Sequence, residues 1–143
     1  MTLDLSSLGN AIAQGDEALA YCGGDLARAD AQLAMHLRAG AIRAFEFIYE
    51  LSIKTLRRYL IETEANPAAV EEMSFNDLIR RAYELGLIEA ELADWKEFRR
   101  HRGTTSHTYD AAKAQAVFEI IPTFLAEARF LAARIAERQE PSA

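Results

Sequence analysis

The run Arg99-Arg100-His101-Arg102-Gly103-Thr104-Thr105-Ser106-His107-Thr108-Tyr109-Asp110 holds the residue types most able to do chemistry in this chain. An arginine offers a planar, permanently charged fork of donors suited to an anionic group. His107 can exchange a proton near neutral pH. Tyr109 places a phenol two residues further on. Gly103, both threonines and Ser106 are poor helix formers, in a chain that otherwise reads as helix. A packed helix has no need of such a sequence, so function is sought here first.

Spacing sharpens the expectation. On an unbroken helix, residues as far apart as Arg102 and His107 point roughly 140° away from each other. They converge only where the helix bends or ends between them. Gly103 supplies a break, and Thr104, Thr105 and Ser106 weaken the helix beyond it. Asp110 can cap a new helix starting at Ala111, which leaves His107 and Tyr109 in a turn at that helix's positive end.

The elements that must position this stretch are helical. Leu5, Leu8, Ile12 and Leu19 predict a first helix from Leu3 to about Tyr21, ended by Gly23-Gly24. A long helix is expected from about Leu26 to Glu64, with Asp30 as a candidate cap and Gly40 as a bend or a close helix contact. Phe45, Ile48, Tyr49, Ser52, Ile53, Leu56, Tyr59 and Leu60 form its dense stripe. Phe47 and Leu51 lie off it, so this helix is central in a bundle and pressed against a second subunit. Asn66-Pro67 starts a short turn, and Ser74 to Asp77 resembles a capping box. A third helix runs from Phe75 to Leu85, burying Phe75, Leu78, Ile79, Ala82 and Tyr83, and Gly86 stops it. A fourth begins near Glu89 and carries Leu92, Trp95 and Phe98, with Trp95 in the core. The last spans Ala111 to about Arg138 with a kink at Pro122. Residues 140–143 are expected to be disordered. The fold class is all-α: an up-and-down bundle of four main helices plus a short one, forming a single domain over residues 1–143 and a homodimer.

With 143 residues, half of them hydrophobic, the chain can bury a core without disulfides. Cys22 stands alone, which fits a reducing cytoplasm. The N-terminus lacks a basic segment followed by an apolar run, and no stretch is apolar enough for a membrane span. A net charge of −6 argues against a broad, non-specific nucleic-acid surface. Any RNA contact must come from a local patch, for which Arg99, Arg100 and Arg102 are candidates, with Lys54, Arg57 and Arg58 nearby.

Glu46 and Glu50 lie one turn apart within the apolar run and repel mildly. Two readings are open. Arg43 and Lys54 can complete a local ion-pair ladder with them, or they can orient an arginine or histidine from another helix. Without a Glu-x-x-His partner, a metal site is unsupported. His36 and His101 read as surface residues.

Arg102, His107 and Tyr109 stand as Arg-x4-His-x-Tyr, the signature of HEPN domains. The chain resembles the branch of that family known as nucleotidyltransferase substrate-binding proteins. Arg43 to Leu56 resembles the family's second-helix block. Ala82 to Ile88 resembles the next, and Thr105 to Tyr109 the most recognisable. The three occur in the family's order over most of the chain. Gly103 departs from it, since a polar residue, often Asn, commonly follows the motif arginine.

The resemblance implies a homodimeric helical bundle working with a small nucleotidyltransferase as a toxin–antitoxin pair. It implies a metal-independent endoribonuclease without cofactor, in which Arg102 and His107 are catalytic. Glu46, Glu50, Lys54 and Arg99 would support the site or bind substrate, with RNA or a nucleotide as the ligand. Tyr109 would accept AMP from the partner, silencing the enzyme. RNA carries its own nucleophile, the 2′-hydroxyl. His107 can act as acid or base, and Arg102 can neutralise charge on the phosphate. One such histidine per chain is few for both roles, and a dimer would bring two copies together. The other reading is a non-catalytic module that positions substrate for a nucleotidyltransferase.

Overall fold

Aromatic rings set the architecture. In the computed structural model, which describes residues 2–140, Phe124 lies edge-on to Phe45, Trp95 and Phe98 with ring centroids 5.2, 5.8 and 5.1 Å away. Such tilted contacts match the quadrupoles of the rings and add to what burial alone contributes. The three partners come from the helices that frame the candidate site, so this cluster fixes how those helices meet.

Seven helical segments occur among the described residues. They are α1 (Ser6–Cys22), α2 (Asp25–Ala29), α3 (Ala31–Thr63), α4 (Pro67–Glu71), α5 (Phe75–Glu84), α6 (Leu92–Arg102) and α7 (Ala111–Gln139). The all-α expectation holds, but the count of four main helices plus a short one is corrected. Five segments have ten residues or more, and α2 and α4 have five each.

Local chemistry explains the boundaries. The Asp30 carboxylate accepts from the backbone N–H groups of Gln32 and Leu33 and caps α3, so the stretch before it is the separate α2. Asn66 Oδ1 accepts from Ala69 N ahead of α4, and Ser74 Oγ from Asp77 N ahead of α5. Helix α1 begins at Ser6 rather than Leu3. Leu3 instead exchanges backbone bonds with the Gln139 side chain, tying the N-terminal strap to the end of α7. Helix α6 begins at Leu92 rather than near Glu89, because Glu91 and Asp94 close a reciprocal capping box there. Gly86 adopts φ +73° after α5, a conformation that favours glycine. Pro122 is exposed on α7, which continues through it as one element. Glu140 ends α7, and the rest of the expected tail, residues 141–143, lies outside the described residues.

The long α3 and α7 are the spine, with α1 packed on both. Gly15 permits that approach: a Cβ there would come within 2.8 Å of Ile48 Cδ1 and 3.2 Å of Leu125 Cδ2. Arg81 of α5 grips the Glu64 carboxylate at the end of α3. Trp95, Phe45, Leu56, Leu60 and Phe124 are fully buried, as the helical stripe requires. Tyr83, expected inside, is exposed, because the α5 stripe closes on Leu78, Ile79 and Ala82. No helix among the described residues is long and apolar enough to cross a membrane.

Candidate active site

Helix α6 stops where the sequence breaks. Its last helical residue is Arg102, and Gly103 N–H donates to the Arg99 carbonyl. A ladder of short turns comes next: Thr104 N–H to His101 O, Thr105 to Arg102, His107 to Thr104, and Asp110 to His107. Asp110 then caps α7 by accepting from Ala112 N and Lys113 N. Gly103 sits at φ −66° and ψ −17°, ordinary right-handed backbone, so the turn does not depend on glycine's freedom.

Arg102 projects onto α3. Its Nε donates to Glu50 Oε1 at 2.8 Å, and its terminal nitrogen lies 3.6 Å from Glu46 Oε1. Thr105 Oγ1 completes the group, 2.9 Å from both Glu46 Oε2 and the Arg102 carbonyl and 3.4 Å from the Arg102 guanidinium. The hydroxyl has one hydrogen, so it serves one of the two acceptors at a time. The glutamates one turn apart are therefore compensated across helices by Arg102. Among the described residues, neither Arg43 nor Lys54 forms an ion pair with them.

His107 and Tyr109 form a second group. The imidazole Nδ1 lies 3.0 Å from the Tyr109 hydroxyl, and the rings meet edge-on at 5.7 Å. Tyr109 is 83 % exposed, the most open of the large hydrophobic side chains among the described residues. Among the described residues, no hydrogen bond joins this pair to Arg102. Glu46 and Thr105 of the first group line a polar cleft of about 360 Å³ together with Arg43 of α3 and with Ser106 and Thr108 of the turns, while Tyr109 of the second group lines a separate groove.

Other expected site residues fall elsewhere. Arg99 stacks over the Phe75 ring at 4.7 Å rather than joining Arg102. Lys54 is exposed and makes no ion pair among the described residues. Arg100 pairs with Glu97, and Arg57 donates to the Val70 and Met73 carbonyls, so the expected basic patch is largely committed to internal contacts. Tyr49, buried beneath the Arg102 cluster, has its phenol pushed up to about 12 by burial, with Arg99 and Arg102 pulling the other way and Glu50 adding to the rise.

His101 corrects its surface reading. It is buried, and loss of solvent, then the adjacent Arg100, lowers its pKa below the usual value, against an opposing pull from Glu97. Its position three residues after Phe98 on α6 was the available signal. Thr105 and Glu127 were also missed. Thr105 was read only as a helix breaker. Glu127 is buried in α7, where its carboxylate accepts from Glu89 N, Ala90 N and the Trp95 indole at 3.1, 2.9 and 2.7 Å. It pins the start of the helix that ends in Arg102.

A helical bundle presenting Arg-x4-His-x-Tyr at the junction of two helices defines the class, and comparison with known proteins agrees. The chain belongs to the family described as nucleotidyltransferase substrate binding protein like, whose model matches residues 3–137. It is 41 % identical over 104 residues to "Probable ribonuclease HepT" of Haemophilus influenzae, covering 73 % of this chain and 70 % of that one. A solved Haemophilus influenzae structure, described as revealing the fold of a substrate binding domain of a nucleotidyltransferase, superposes with a TM-score of 0.86. It is 33 % identical, over 93 % of this chain and 99 % of that one. A Thermus thermophilus structure matches at TM-score 0.60 and 25 % identity, over 85 % of this chain and 98 % of its own.

Proposed function

We propose that the chain is a metal-independent endoribonuclease whose site is completed by a second copy of itself, paired with a nucleotidyltransferase that silences it through Tyr109. The carrying observation is the pairing of α6 and α3 through Arg102 and Glu50, with His107 five residues later between Ser106 and Thr108, which line a cleft together with Glu46 and Thr105. The ribonuclease name of the Haemophilus relative supports the reading.

In the proposed reaction one His107 takes the proton of an RNA 2′-hydroxyl, whose oxygen attacks the adjacent phosphorus. The bond to the 5′-oxygen breaks, and the second copy of His107 protonates that leaving oxygen. Arg102 holds the non-bridging oxygens as negative charge builds. Glu46 and Glu50 keep its guanidinium aimed and limit its freedom, which lowers the cost of orienting substrate.

A second reading has its own support. Arg102 already faces two carboxylates, and the superposable Haemophilus structure is described as a substrate binding domain. On that reading the cleft positions a substrate for a nucleotidyltransferase and cleaves nothing.

Induction of wild type and His107→Ala without a partner separates the two. Growth arrest and RNA cleavage that vanish in the variant establish the ribonuclease. Harmless expression of both, folded and dimeric, favours the positioning module. Mixed dimers carrying one His107→Ala copy test the shared site: they should lose most cleavage, and full activity would exclude it.

A further inference from the structure

The contact between His107 and Tyr109 has a chemical direction that RNA cleavage does not require. Nδ1 lies within hydrogen-bond distance of the phenol oxygen, at 3.0 Å, and the edge-on packing of the rings holds the two groups together. A neutral imidazole protonated at Nε2 has its lone pair on Nδ1, and the phenol then donates to it. That is the arrangement of a nucleophile and its base.

We propose that His107 is the general base that activates Tyr109 as a nucleophile, so that this chain supplies part of the catalysis for its own modification. The inference rests on the reading of Tyr109 as a nucleotide acceptor. As the phenol oxygen forms a bond to the α-phosphorus of a nucleoside triphosphate, its proton passes to His107 Nδ1. The bond from that phosphorus to the bridging oxygen breaks, and pyrophosphate leaves with the electron pair. The imidazolium then gives its proton to water. The exposed phenol is open to a donor presented by another protein. Beside it runs a groove of about 260 Å³ with Met35, Ile42 and Ala114 as apolar walls and His36 and Arg38 as its basic members. Those walls suit a base and Arg38 suits a phosphate.

The pair also gives modification a silencing effect. A phosphodiester on the phenol oxygen attaches a bulky anion to the atom that lies 3.0 Å from Nδ1, where it crowds the imidazole and repels an incoming RNA phosphate. The 2′-hydroxyl is then kept from the imidazole that would take its proton.

An electrophile that needs no partner tests the activation. The purified full chain is treated with an adenosine carrying a sulfonyl fluoride, which sulfonates reactive phenols, and sites are timed by mass spectrometry. Tyr21 and Tyr83 are exposed and serve as internal controls. Tyr109 should react roughly 10²-fold faster than either, the lower end for general-base assistance. His107→Gln, which can accept a hydrogen bond but cannot take the proton, should bring Tyr109 down to the controls. Added imidazole should restore much of the rate in His107→Ala. Equal Tyr109 rates in wild type and His107→Gln overturn the proposal. Transfer of AMP by a nucleotidyltransferase is followed alongside. Transfer to Tyr109 undiminished in His107→Gln overturns the base but keeps the acceptor. A fast, His107-dependent Tyr109 that never receives AMP supports the base and overturns the acceptor reading.

Discussion

Arg102 and Glu50 are 52 residues apart in sequence and meet at 2.8 Å, the guanidinium Nε donating to the carboxylate. The bond crosses from the end of α6 to the middle of α3, and Glu46 backs it from one turn away. All three side chains keep substantial contact with solvent. Exposed pairs contribute about 0–1 kcal/mol to stability, so the contact matters mainly for where Arg102 points. Glu50→Gln should shift the urea midpoint little; under the proposed ribonuclease function it should also lower RNA cleavage about tenfold or more, as misplacement of a positioning group does. Faster cleavage in that variant would make Glu50 a brake on Arg102 instead.

Glu127 behaves oppositely. Its buried carboxylate satisfies two backbone donors and the Trp95 indole. Glu127→Ala leaves the Trp95 indole unpaired inside the bundle, whereas the partly exposed Glu89 and Ala90 N–H groups can turn to water. A buried orphan costs about 1–3 kcal/mol, so the variant should lose about that much in chemical denaturation, with Trp95 fluorescence reporting the change. Glu127→Gln should lose less, because one oxygen can still accept.

His101 should make stability depend on pH. Burial holds its folded pKa below the ordinary value of 6.5, and Arg100 adds to the depression while Glu97 opposes it. Asp94 and Glu119 line the same side of the helix pair. The unfolded chain therefore takes up a proton first as pH falls. The His101 contribution is complete above the unfolded value and is lost as pH drops from there through the folded value. Melting temperature should decline across that window, more steeply in wild type than in His101→Gln. Parallel profiles would show that His101 does not titrate differently on folding.

Two glycines should respond in opposite directions. Gly40 lies within α3, and an added Cβ there would meet no heavy atom within 4 Å, so Gly40→Ala should gain up to about 1 kcal/mol from helix propensity. Gly86 has φ +73°, and an added Cβ would sit 3.1 Å from an Arg138 nitrogen. Gly86→Ala should lose about 1–2 kcal/mol from left-handed backbone alone. Denaturation of the two variants checks both signs. A loss at Gly40 would mean that a neighbouring surface covers it, which a single chain does not supply.

Much of the fold was legible because helix boundaries are local chemistry. Asp30, Asn66, Ser74 and Asp110 each cap the helix that their type and position announce. Periodicity likewise placed Phe45, Ile48, Leu56, Leu60 and Trp95 inside. Where the start of α6 was misjudged, a reciprocal pair, Glu91 with Asp94, had outweighed an apolar pattern beginning earlier. His101 was misread because polarity is a poor guide to a residue one turn from a core phenylalanine.

The Arg-x4-His-x-Tyr spacing and the weak helix formers inside it determined that two helices end and begin around one turn, and that Arg102, His107 and Tyr109 occupy the junction. Those are properties of neighbours in the chain. Which charges those residues meet is not. Only the packing of α6 and α7 on α3, fixed by Phe124 and the rings around it, paired Glu50 and Glu46 with Arg102 rather than with the nearer Arg43 and Lys54. Charge pairing depends on distance in space, and a helix separated by 52 residues of chain becomes a closer neighbour than the next turn once a common core holds the two together.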